Sequence, residues 1–355
     1  MKICTVVGAR PQFVKAAVVS RAMLETNGIS EILIHTGQHF DTNMSDVFFE
    51  ELDIPKPHYN LKIGGGTHGQ NTGRMIEGIE KVLLDEKPDY LLVYGDTDST
   101  LAGALAAAKL HIPIAHIEAG LRSFNRKMPE EINRVLTDHV STLLFAPTNT
   151  AVKNLINEGI AAEKIRQVGD VMFDATLYYG KKTRRPVLPD NNKDSFMLCT
   201  IHRAENTNDQ QRLREIINAL NIIAETIQIV LPIHPRTSGI ISKMSNVQLS
   251  DNVIVIEPVG FLEMHWLLQN SAMVITDSGG VQKEAFFHGK ACVTLRDETE
   301  WIELVQSGVN KLAAPGKTNI PDVVAGMTNL KIDPLLNLYG DGNAGKKIVE
   351  IIKTK

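Results

Sequence analysis

Short apolar runs alternate with helical patterns along the whole chain, and this alternation limits the fold more than any other feature. The sharpest instance is Met273-Val-Ile-Thr, then Asp277-Ser278-Gly279-Gly280, then a helix from Val281 to His288. An apolar run of that length suits a strand that a parallel sheet buries on both faces. The glycines allow positive φ and leave the backbone bare. A Ser-Gly-Gly turn at a helix start presents free N–H groups and a positive dipole end to an anion. Glu284 then falls about one turn into the helix, where a carboxylate reaches a ribose hydroxyl. An ordinary strand-to-helix loop with an N-cap serine is the plainer reading of the same residues.

The rhythm runs Ile3–Val7 strand, Gln12–Thr26 helix, Glu31–Thr36 strand, His39–Leu52 helix, Gly73–Asp85 helix, Tyr90–Val93 strand, Leu101–Lys109 helix, Ile114–Ile117 strand, Glu130–His139 helix and Thr142–Ala146 strand. It breaks at the polar, proline-bearing stretch 180–194, which reads as a linker, and restarts with the strand Phe196–Thr200. The strands Ile227–Ile233, Val253–Ile256, Met273–Thr276 and Ala291–Leu295 follow, with helices over Asn208–Glu225 and Phe261–Gln269. At 355 residues the chain is long for one core. The expected class is α/β: two Rossmann-like, doubly wound parallel-sheet domains facing a cleft, in a GT-B-like plan. The domains are expected over 1–179 and 195–342, with a final helix near 343–355 packing back on the first. Ligands of such sheets sit at the carboxyl ends of strands.

Those ends carry a consistent chemistry. Gly8-Ala9-Arg10-Pro11-Gln12-Phe13-Val14-Lys15 follows the first strand. Arg10 can fork a phosphate and Lys15 adds a point charge, or both are plain surface cations at a helix start. Asp96 follows Tyr90–Val93, Glu118 follows Ile114–Ile117, and Glu130 lies just beyond, four residues before Arg134. Each carboxylate alone could be a cap or a solvated charge, and Glu130 with Arg134 an i,i+4 surface pair. Three acids at neighbouring strand ends converge on one place and are candidates for proton transfer. The later half repeats the device with cations: His202-Arg203 and His234-x-Arg236 each follow a strand.

The bulk numbers exclude other classes. A net charge of −4 and a pI near 6.3 give no general affinity for polyanions, so no nucleic-acid partner is expected. No run approaches the ~20 apolar residues of a membrane span, so no membrane partner is expected either. The first strand lacks the dinucleotide fingerprint G-x-G-x-x-G, and no cofactor is expected. His35 and His39 straddle a strand end without a Cys/His cluster around them, so no metal site is expected. Cys4, Cys199 and Cys292 lie in strand-like runs and read as buried, reduced thiols of a cytoplasmic protein.

Gly8-x-Arg10-Pro11, Gly95-Asp96-Thr97, His116-x-Glu118-Ala-Gly120-Leu-Arg122, Pro129-Glu130-Glu131-x-Asn133-Arg134, His202-Arg203-x-Glu205-Asn206 and Thr276-Asp277-Ser278-Gly279-Gly280-x-Gln282-x-Glu284 stand in order. With these the chain resembles the non-hydrolysing UDP-N-acetylglucosamine 2-epimerase family over essentially its full length. The resemblance implies a homodimer acting on a UDP-activated 2-acetamido sugar that feeds surface polysaccharide synthesis. It implies that Arg10, His234, Ser278, Gly279, Gly280 and Glu284 hold UDP. It also implies that Lys15 and Arg134 support the sugar, and that Asp96, Glu118, Glu130 and His202 carry or support catalysis. Gln12 and Trp301 replace the family's more usual glutamate and arginine. Both look like the branch that epimerises UDP-2,3-diacetamido-2,3-dideoxyglucuronate, whose extra carboxylate needs a cation such as Arg122, Arg126 or Arg203. Some members carry regulatory glutamines where this chain has Asn43-Met44-Ser45-Asp46-Val47, so that control is not assumed. The competing readings are a GT-B glycosyltransferase and a non-catalytic UDP-sugar sensor.

Overall fold

A computed structural model describes residues 1–38, 55–189, 195–244, 247–333 and 336–355, without the side chain of Arg10. The expected helix His39–Leu52, the stretch Asn43–Val47 and the end of the 180–194 segment lie outside these residues. The chain divides into two compact units, one of residues 1–175 and 339–355, the other of residues 176–338.

The first unit is a seven-stranded sheet in the order β3-β2-β1-β4-β5-β6-β7. Its strands are β1 (Lys2–Val7), β2 (Ser30–His35), β3 (Tyr59–Asn60), β4 (Tyr90–Tyr94), β5 (Ile114–Ile117), β6 (Leu143–Ala146) and β7 (Ile165–Gln167). All pairings are parallel, with Val6 opposite Val93 where β1 meets β4. The second unit is a six-stranded parallel sheet in the order β10-β9-β8-β11-β12-β13. Its strands are β8 (Phe196–Thr200), β9 (Gln228–Pro232), β10 (Val253–Ile256), β11 (Val274–Thr276), β12 (Cys292–Thr294) and β13 (Asn310–Leu312). Each sheet reverses its strand order once, between β1 and β4 and between β8 and β11. That is where an open α/β sheet leaves a crevice.

Helices cover both faces, so central strands bury side chains of either parity. Ile3, Cys4, Val6 and Val7 are all fully buried in β1, each aliphatic contributing roughly 1.5–3 kcal/mol. The strands β3, β7 and β13 were not expected from the sequence. All three are short edge strands, and edges face water and tolerate Asn, Arg, Gln and Lys, so no apolar run marks them.

Two helices begin earlier than periodicity places them. The helix expected over Gly73–Asp85 spans His68–Glu86, because Thr67 caps it and exchanges bonds with Gln70 in a capping box. The helix expected from Leu101 starts at Asp98 under the Thr97 cap. Residues 180–189, expected as linker, are counted with the second unit. There the Arg184 N–H donates to the Leu262 carbonyl at 3.4 Å, and the Arg185 guanidinium lies 5.5 Å from the centre of the Trp266 ring. The final helix, Ala344–Lys353, belongs to the first unit and packs on Arg10–Leu24. It is anchored by Asp174, which accepts from the Gly345 N–H at 2.8 Å. The three cysteines are buried and free of disulfides, and burial pushes the Cys4 and Cys292 thiols up to about 12. Among the described residues no helix is long and apolar enough to cross a membrane.

Candidate active site

The first unit gathers its acids at the β1/β4 reversal. Lys15, Asp96, Glu130 and His68 line one hollow of about 220 Å³. The Lys15 ammonium forms an ion pair with Glu118, and these residues are only 9% and 8% exposed. Glu118 has φ +70°, a left-handed backbone that a residue with a Cβ adopts only where its surroundings hold it. The hold is visible: the N–H groups of Glu118 and Ala119 both donate to the Phe145 carbonyl at 3.1 Å. Gly95 has φ +63°, and a Cβ there would lie 3.3 Å from both Lys15 Nζ and Glu118 Oε2, so the glycine makes room for the pair.

Asp96 follows that glycine, with its side chain 33% exposed and 2.6 Å from Arg134 Nη2. Burial pushes its carboxyl above the usual carboxylate range, against the pull of Arg134 and Lys15. Such a group can hold a proton where an ordinary aspartate has lost it. Arg134 turns to Asp96 rather than to the Glu130 carboxylate, and meets Glu130 only at its backbone carbonyl, at 3.3 Å. The surface-pair reading of Glu130 and Arg134 is therefore corrected. Glu130 is exposed at the rim, whereas Glu131 is buried and accepts from the Ser123 and Phe124 N–H groups.

Behind the acids stands a second layer the sequence reading did not assign. His116 is fully buried, with Nε2 2.7 Å from the Gly95 carbonyl and Nδ1 2.7 Å from Asp138. The ring is thus clamped between two acceptors, a backbone carbonyl and a buried carboxylate. Asp138 also takes Arg122 at 2.8 Å and the Gly120 N–H at 3.1 Å. Burial alone would raise its carboxyl, but His116 and Arg122 hold it below the usual range. Arg122 is buried and forks Glu158 at 2.7 Å through both Nε and Nη2. It is thus occupied and is no candidate for a sugar carboxylate. The signal for this layer was present: Asn133, Arg134 and Asp138 fall on one buried face of the helix Pro129–Val140, where polar residues are rarely placed without partners.

Gln12 also has a role. Its Oε1 accepts from the Gly8 and Ala9 N–H groups at 2.8 and 3.1 Å, and its Nε2 donates to the Tyr94 carbonyl at 2.8 Å. The turn carrying Arg10 is thereby tied to the end of β4, two residues before Asp96. A glutamate could not make that donation.

The second unit uses its reversal point differently. Asp277 directly follows β11 and is fully buried. It accepts from the N–H groups of His202 and Arg203 at 3.0 Å and from Asn206 Nδ2 at 3.1 Å. His202 Nδ1 lies 3.2 Å away. Burial works against its charge, but these donors hold its carboxyl below the usual range. One buried anion thus joins the ends of β8 and β11 and brings His202 to the Ser278-Gly279-Gly280 turn. The sequence reading took Asp277 for a turn residue and missed this.

Ser278 caps the helix Gly279–Phe287, its Oγ accepting from the Val281 N–H. Gly280 has open space where a Cβ would stand, while a Cβ on Gly279 would lie 2.3 Å from Glu300 Oε1. Glu300 is in turn held at 2.9 Å by Arg296. The Trp301 indole N–H donates to the Gly279 carbonyl at 2.9 Å, and Lys283 lies 4.0 Å from the centre of the indole ring. Glu284 is half-buried in the same helix. His234 stands at the end of β9, exposed, with Nδ1 accepting from the Arg236 N–H at 3.2 Å, while Arg236 reaches Asn208 at 2.9 Å. Among the described residues no group of three or more His, Cys, Asp or Glu is placed to hold a metal ion.

Two Rossmann-type sheets, one with paired acids and cations at its reversal point and one with a bare glycine turn at a helix start, define an α/β enzyme of GT-B-like plan. The chain belongs to the UDP-N-acetylglucosamine 2-epimerase family, whose model matches residues 21–353, and it is thus an isomerase acting on a UDP-sugar. It is 57% identical over 355 residues, 99% of each chain, to the UDP-2,3-diacetamido-2,3-dideoxy-D-glucuronate 2-epimerase of Pseudomonas aeruginosa. It is 45% identical to a UDP-N-acetylglucosamine 2-epimerase of Methanocaldococcus jannaschii over 99% of each chain. The crystal structure of the M. jannaschii enzyme with UDP-GlcNAc and UDP matches all of both chains with a TM-score of 0.88. The Neisseria meningitidis enzyme bound to UDP-GlcNAc, 34% identical, also matches all of both chains at 0.88.

Proposed function

We propose that this enzyme inverts C2 of UDP-2,3-diacetamido-2,3-dideoxyglucuronate, giving the manno-configured uronate for surface polysaccharide synthesis in the cytoplasm, as a homodimer. The observation that carries the sugar assignment is the 57% identity over the whole chain to an enzyme of that name. Gln12 and Trp301 support it as departures from the commoner pattern of the family. UDP-GlcNAc is the second reading, supported by the relatives named for it at 45% identity.

C2 of such a sugar has no neighbouring carbonyl, so its proton is not acidic. Elimination of UDP across C1 and C2 removes that difficulty. The C2 proton goes to a base, the C1–O bond breaks with its electrons leaving on UDP, and a 2-acetamidoglycal remains. Reprotonation of C2 from the other face, with UDP returning to C1, completes inversion. The departing diphosphate needs cations and helix-end N–H groups. Arg10, His234 and the Ser278–Gly280 turn take that role, with His202 beside them and Glu284 on the ribose. The proton transfers fall to Asp96, Glu118 and Glu130, with Lys15 and Arg134 setting their charge. The raised carboxyl of Asp96 suits the acid, and the ion-paired Glu118 suits the base.

The test is an NMR time course in D₂O with the uronate nucleotide and UDP-GlcNAc in parallel tubes. The uronate nucleotide should gain deuterium at C2 in both epimers, with slow leakage of UDP and glycal. Epimerisation without solvent label would rule out elimination, and turnover of UDP-GlcNAc alone would reassign the sugar.

A further inference from the structure

A sugar carboxylate entering the hollow would meet Asp96, Asp98 and Glu130, so it needs a donor of its own. Arg122 is occupied by Asp138 and Glu158. Lys15 is paired with Glu118. Of the described residues lining the hollow, His68 is the remaining basic side chain. Its placement is unusual. It is the first residue of the helix His68–Glu86, the end where a cation is least favoured and an anion most. It is held there by Asp98, whose Oδ2 lies 2.7 Å from Nδ1. Asp98 is itself buried, and Asn133 Nδ2 donates to its Oδ1 and to the Asp96 carbonyl, both at 3.0 Å. The imidazole is 72% exposed and lines the hollow, with Nδ1 committed to Asp98. In its protonated form the ring donates from both nitrogens.

We propose that His68, oriented by Asp98, is a specificity-determining residue that donates Nε2–H to the carboxylate of the sugar. The assignment rests on the uronate reading. A plain helix-end histidine would leave the sugar preference untouched.

The test compares wild type, His68→Leu and His68→Gln for KM with the uronate nucleotide and for Kd with UDP alone. One charge-assisted hydrogen bond predicts about a tenfold or larger rise in KM for His68→Leu, with UDP affinity moving less than about threefold. His68→Gln keeps a donor and should recover part of the loss. An unmoved KM in His68→Leu, an equal loss of UDP affinity, or no recovery in His68→Gln overturns the role of His68 while leaving the uronate reading standing. Failure of the wild-type enzyme to accept the uronate nucleotide overturns both.

Discussion

The two reversal points share a topological address and use opposite materials. At β1/β4 the work is given to side chains: Lys15 against Glu118, Arg134 against Asp96, and a buried His116–Asp138–Arg122 layer behind them. At β8/β11 the buried Asp277 organises backbone N–H groups, and beside it lies a glycine turn. Paired side chains can be tuned in charge and so suit proton transfer. Bare backbone at a helix start cannot be tuned but offers fixed dipoles, which suits holding a diphosphate. On the proposed roles, the comparison makes acid–base chemistry and anion binding separable in this chain.

The largest test of that separation is Glu118→Gln or Asp96→Asn. Either should lower kcat by about 10³-fold or more, while calorimetry finds UDP affinity within about threefold of wild type. Near-normal kcat in either would remove that acid from the scheme. Next is Gly279→Ala, whose added carbon meets Glu300. Binding of UDP should weaken by about tenfold or more, and a glycal presented with saturating UDP should still react at close to the wild-type rate. Unchanged UDP affinity would mean that the turn is not the diphosphate site.

Asp277→Asn attacks the scaffold of the second site. Loss of a buried, multiply bonded anion should cost about 3 kcal/mol in chemical denaturation. The direction with pH follows from its depressed carboxyl. Its stabilisation is complete above the unfolded value of about 3.9 and is withdrawn as pH falls through the lower folded value. The gap in Tm between wild type and Asp277→Asn should therefore be widest near neutrality and close below about pH 4. A gap that widens in acid would contradict the assignment. The smallest effect is Trp301→Phe, which keeps a ring over Lys283 and removes one N–H. It should cost about 1 kcal/mol of UDP binding, seen as a severalfold rise in KM with kcat little changed.

Much of this arrangement was legible in the sequence. The apolar runs fixed the central strands, and Asp96, Glu118 and Ser278 fall at strand ends where parallel sheets put chemistry. What was not legible has physical reasons. The edge strands β3, β7 and β13 are only two or three residues long and mix polar with apolar residues, so no apolar run marks them. His68 was overlooked because the start of its helix is set by the capping pair Thr67 and Gln70, while periodicity becomes clear only at Gly73. Asp277 and Asp138 were overlooked because a buried acid looks like any turn or helix acid until its donors, distant in sequence, are known. Arg122 was misjudged for the same reason: its partner Glu158 lies 36 residues away.

The first unit is built from two stretches of chain, and the second from one. The Asp170 N–H donates to the Tyr339 carbonyl at 2.9 Å, so the chain leaves and re-enters the first unit at neighbouring points. In genetic terms the second unit is an insertion in the acid-bearing one. A gene that joins residue 175 directly to residue 339 should still encode a folded acid-bearing unit, whereas a stop codon after 175 would strip it of the helix that Asp174 anchors.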